Sequence, residues 1–126
     1  SNFGSADGAL PDDMRRGCCP MLPPCQTGYA WEAMQGAVAQ AWILSRQGYP
    51  AFTWEDQAVL RAVQFLERVD HEHGNWWASG DDTWIPWLVN DAYGTSFRTS
   101  FPSSPGKNIG FTDWTQPVSA TDVFQP

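Results

Sequence analysis

The chain is short of charge, and of positive charge above all. Lys, Arg, Asp and Glu make up 17% of 126 residues, and 14 acidic side chains face 7 basic ones, a formal net charge of −7. Charged residues in globular domains run near a quarter. A field of this sign repels phosphate, which argues against nonspecific binding to nucleic acid or to an anionic membrane and requires a local basic patch for any polyanionic ligand. No run approaches the roughly 18 apolar residues that span a bilayer. The opening SNFGSADG lacks the basic-then-apolar pattern of a signal peptide, so any export signal is expected upstream. A Gly-rich phosphate loop, a nucleophile elbow and a basic aromatic strip are also missing, which removes support for nucleotide, hydrolase-triad and nucleic-acid readings. The three cysteines, Cys18, Cys19 and Cys25, have no second CxxC pair to complete a four-thiolate zinc site. A bridge from Cys25 to Cys18 or Cys19 and three reduced thiols are both open. No metal and no cofactor is implied.

What the chain has in excess is tryptophan, eight residues in a length that suits one domain or part of one. Residues 1 to 28 are punctuated by Gly and Pro and read as loop. From Tyr29 to about Gln47 the residues Ala30, Met34, Ala37, Val38, Ala41, Trp42 and Ile43 recur at helical spacing, and Gly48 supplies a stop. A second helix is expected from Thr53, whose hydroxyl would cap it with Asp56 three residues on, to about Asp70, burying Val59, Ala62, Val63, Leu66 and Val69. The link Gly48-Tyr49-Pro50 should make the two a helical hairpin. A third helix follows from near Asp82 to before Gly94, with Pro86 in its first turn. The tail from Thr95 is loop-rich, and Ile109 to Trp114 is its one candidate for a brief strand.

The order Asp7-Gly8-Ala9-Leu10-Pro11, then Arg15-Arg16-Gly17, then Tyr29-Ala30-Trp31-Glu32-Ala33 resembles the alginate lyase family. So do Gly48-Tyr49, the Trp54 region, Leu60-Arg61-Ala62 and Phe65-Leu66. Trp84-Ile85-Pro86-Trp87-Leu88-Val89-Asn90, Tyr93-Gly94-Thr95 and Pro105-Gly106-Lys107-Asn108 look like the tail of bacterial members of the same superfamily. The resemblance implies a mainly α fold, the helical hairpins of an incomplete (α/α) toroid with long ordered loops, at the C-terminal end of an extracellular or periplasmic protein. It implies cleavage of uronate polysaccharide by β-elimination, in which the uronate carboxylate is neutralised and a Tyr or His removes the C5 proton. The family's Asn-His helix falls N-terminal to the matched stretch, so the piece is expected to be incomplete by itself.

Carried onto this sequence, the catalytic candidates are Arg16 and Tyr29. The substrate-binding candidates are Arg15, Asn90, Trp84, Trp87 and Lys107. Each has a plainer reading. Arg15 and Arg16 lie beside Asp12 and Asp13 and suit ion pairs as well as carboxylates. Tyr29 suits ring packing at a helix start. His71-Glu72-His73 could offer ligands to zinc, but a solvated turn fits it better. Trp42 belongs to a core, whereas Trp76, Trp77, Trp84, Trp87 and Trp114, in or beside loops, could stack on sugar rings or cover a helix end. The expected partner is an acidic polysaccharide or other glycan, not nucleic acid and not a membrane. The alternative is a non-catalytic carbohydrate-binding or structural module, which could self-associate or pack on an upstream segment.

Overall fold

A computed structural model describes residues 6–16, 28–104 and 109–116. Among them the chain is mainly α, with no strand: α1 (Pro11–Arg15), α2 (Tyr29–Arg46), a 3-10 turn (Ala51–Thr53), α3 (Trp54–His73), a second 3-10 turn (Gly80–Asp82), α4 (Ile85–Tyr93) and α5 (Thr112–Thr115). Helix α2 stops where Gly48 requires. The Tyr49 N–H donates to the Leu44 carbonyl and the Gly48 N–H to that of Ser45, with Gly48 at φ +91°, which together form a Schellman cap. Helix α3 is less regular. Thr53 does not cap it, because its hydroxyl donates to Pro50 O at 2.7 Å. Glu55, Asp56 and Gln57 form a left-handed turn inside its first stretch, which costs roughly 1–2 kcal/mol per residue. Arg61 holds that turn, donating to the carbonyls of Glu55 (2.8 Å) and Asp56 (2.9 Å) and to the carboxylate of Asp7 (2.5 Å).

Two other elements differ from the sequence expectation. A single turn, α1, forms within the stretch read as loop, where Pro11 opens it and Met14 buries its side chain. Ile109 to Trp114 is not a strand, because residues 112–115 close a helical turn with amides of Trp114 and Thr115 donating to Phe111 O.

Helix α4 is the centre of the molecule. Ile85, Pro86, Trp87, Leu88, Val89 and Asn90 are all buried, so its first six residues are covered on every side, while Asp91 and Ala92 in its last turn are exposed. Helix α2 contributes Trp31, Met34 and Val38 to the surrounding core, and α3 contributes Val63, Phe65, Leu66 and Val69. Ala37 and Ile43, part of the apolar spacing, are exposed, Ala37 in a groove it shares with Ala51, Trp54 and Val59. Trp31 rather than Trp42 is the deeply buried indole of this helix, and its Nε1–H reaches Trp76 O at 2.6 Å. Polar bonds sew the later loops to the core. Gln35 donates to Asp82 (2.7 Å), Thr112 to Trp84 O (2.8 Å), and the buried Asp113 carboxylate accepts the amide and hydroxyl of Ser103 (2.9 and 3.0 Å).

Tyr93 ties the end of α4 to the 3-10 turn before α3, donating to Phe52 O at 2.7 Å with the two rings edge to face at 5.5 Å. Burial pushes its phenol above its ordinary value, partly opposed by the Leu60 backbone. The folded state therefore favours the protonated phenol. This stability is complete below about pH 10, the ordinary tyrosine value, and is lost as pH rises through the raised folded value. Tyr93→Phe should cost about 1 kcal/mol at neutral pH and flatten the alkaline fall, as read by urea melts from pH 8 to 11.5. An equally steep alkaline fall in the variant would remove Tyr93 from this role.

Candidate functional site

The end of α3 is shaped by one carboxylate. Gly74, at φ +74°, stops the helix with its amide on Asp70 O, and Asn75, at φ +61°, turns the chain back. The amides of Trp76 and Trp77 then both donate to Asp70 Oδ1 at 2.8 Å, leaving Oδ2 to Arg98 at 3.2 Å. Arg98 grips Trp77 twice: its carbonyl accepts the indole N–H at 2.9 Å, and its guanidinium lies over the ring at 5.6 Å. Trp77 is braced below by Trp31, edge to face at 5.3 Å, and beside it by Phe97 at 5.9 Å. Above this floor lies an open cleft of about 610 Å³, lined by Asp70, Asn75, Trp77, Ser79, Arg98 and Ser100 among others. The Arg98 side chain is 66% exposed. The cleft thus offers a cation, hydroxyls and an amide above a buried indole, a set suited to a polar ligand with several hydrogen-bonding groups.

The residues singled out from sequence fall in three places. Arg16 and Tyr29 meet, the guanidinium 5.5 Å from the ring centre, and Arg16 also lies 3.9 Å from Asp13. Arg15 pairs with Asp12 at 2.6 Å on the exposed face of α1. Both arginines therefore make the plain ion pairs. Trp84, Trp87 and Asn90 must be corrected as ligand contacts, because all three are buried in and around α4. The Trp87 N–H donates to Ser100 O at 3.0 Å, and Asn90 spends its side chain on Thr95 and Phe97. Trp76 and Trp77 are buried as well, so most of the tryptophan excess builds core rather than surface. Trp54 and Trp114 are the exposed indoles, at 47% and 68%. Lys107 and the cysteines Cys18, Cys19 and Cys25 lie outside the described residues.

His71, Glu72 and His73 form the last turn of α3 rather than a loop, and His73 Nε2 lies 3.9 Å from Glu72. Among the described residues no three His, Cys, Asp or Glu side chains are grouped to hold a metal ion. No described helix is long and apolar enough to cross a membrane. Sequence reasoning missed Asp70 and Arg98. The available signal was Asp70 four residues before Gly74-Asn75, an acceptor placed where a left-handed turn sends two amides back toward it. No family model, no curated protein and no solved structure matches the chain.

Proposed function

We propose that this chain is a carbohydrate-binding piece of a polysaccharide lyase-like protein, working outside the cytoplasm on uronate-containing polysaccharide and non-catalytic by itself. The observation that carries the reading is the open cleft over Trp77, where Arg98, Asp70, Asn75, Ser79 and Ser100 present fixed polar groups around a braced aromatic floor. Sugars present a ring of hydroxyls, which the polar groups of this rim are spaced to bond. The incomplete-toroid arrangement and the lyase kinship rest on the sequence motifs quoted above.

One observation favours a catalytic reading. Arg16 and Tyr29, the residues suited to carboxylate neutralisation and proton transfer, stand side by side. Calorimetric titration with oligouronates, together with the ultraviolet absorbance of unsaturated product, separates the two. Binding without product is the expected outcome. Product formation that disappears in Arg16→Ala would put β-elimination by this chain ahead.

A further inference from the structure

Resting on the reading of this cleft as a sugar contact, we infer that Arg98 is its specificity-determining residue, selecting ligands that carry a carboxylate. Three features converge on it. First, the charge of Asp70 is already engaged. Oδ1 accepts two backbone N–H groups at 2.8 Å and Oδ2 faces Arg98 at 3.2 Å, so the carboxylate is compensated within the fold. An incoming anion therefore meets the open edge of Arg98 beside a carboxylate whose hydrogen-bonding capacity is already taken up. Second, Arg98 commits only part of its fork. Among the described residues its one hydrogen-bonding partner through the side chain is Asp70, by a single Nη2 contact, and the remaining N–H groups stay available for a planar, two-oxygen acceptor. Third, the guanidinium is pre-positioned although 66% exposed, because Asp70 holds one edge and the Trp77 ring lies beneath its face. Less rotamer freedom is then lost on binding than for a free surface arginine. In a chain of net charge −7, one oriented cation at the rim of a cleft also provides the local basic site that an acidic glycan requires.

The test compares an acidic oligosaccharide, tetragalacturonate, with a neutral one of equal length, cellotetraose, by calorimetry on the full chain at low and moderate salt. The expected result is preference for the acidic ligand, weakened by salt. Arg98→Ala should lower acidic affinity about 10- to 100-fold and neutral affinity by clearly less, so that the preference for the acidic ligand collapses, with Arg98→Lys recovering only part because a point charge replaces a fork. Equal losses for both ligands, or no preference in the wild type, would overturn the assignment. If neither sugar binds, the sugar reading falls, and the Arg98 Nε–H resonance, identified by its absence in Arg98→Lys, decides the rest during an acetate titration. A saturating shift keeps a carboxylate site at Arg98, and an unmoved resonance removes it.

Discussion

Replacing Asn90 with alanine is expected to destabilise the protein by about 3 to 5 kcal/mol without touching any exposed surface. The amide of Asn90 is a three-way joint inside the core. Its Nδ2 donates to Phe97 O at 2.9 Å, while its Oδ1 accepts the Phe97 amide at 2.8 Å and the Thr95 hydroxyl at 2.9 Å. Its own carbonyl meanwhile accepts the Thr95 amide as α4 ends at the left-handed Gly94. Alanine leaves both backbone groups of Phe97 buried and unpaired, each costing about 1–3 kcal/mol, and opens a void as well. Thr95→Val, which removes one of the three bonds, should cost only about 1 kcal/mol. Chemical denaturation of the two variants measures the difference. Equal, small effects would mean that water or a rearranged loop satisfies Phe97. The consequence reaches the cleft, because Arg98 follows Phe97 directly in the chain. A glycan-binding loss in Asn90→Ala would report displacement of Arg98, not a lost ligand contact.

Asn90 also shows where sequence legibility ends. The helices were legible because their signals are local: apolar spacing from Tyr29 to Arg46, the obligatory left-handed Gly48, and the stripe Ala62, Val63, Leu66 and Val69 all act within a few residues. The burial of Trp84, Trp87 and Asn90 was not, because a short helix that begins at a loop looks like a rim until the rest of the chain closes over it. The bond from Trp31 to Trp76 and that from Trp87 to Ser100 turn apparent loop tryptophans into core, and neither partner is visible from spacing. The left-handed turn at Glu55–Gln57 contradicts local preference outright. It persists through Arg61, whose third contact, Asp7, lies 54 positions away. Of the candidate site, Arg16 and Tyr29 were each singled out but their contact across 13 positions was not foreseen, and Asp70 and Arg98 meet across 28 positions and belong to no motif.

That distant tether leads to the second large effect. Gly8→Ala should detach residues 6–16 from α3 while leaving the α4 core intact. A Cβ at Gly8 would sit 2.0 Å from Arg61 O and 2.5 Å from its carbonyl carbon, atoms fixed within the helix, so no side-chain rotation relieves the overlap. The φ of +82° adds a left-handed penalty of roughly 1–2 kcal/mol for any L side chain. Undocking separates Asp7 from Arg61 and its carbonyl from Arg68, and withdraws Leu10 and Met14 from the core. The total cost is expected to exceed about 2 kcal/mol, concentrated locally. Hydrogen exchange reads this directly, because the amides of Ala9 and Met14, bonded to Ala6 O and Leu10 O, should lose protection while those of α4 keep theirs. Unchanged protection at Ala9 and Met14 would refute the close approach. Because Arg16 is placed by the same segment, the variant also separates two chemistries: it should abolish any activity that depends on Arg16 beside Tyr29, yet preserve ligand binding at Arg98.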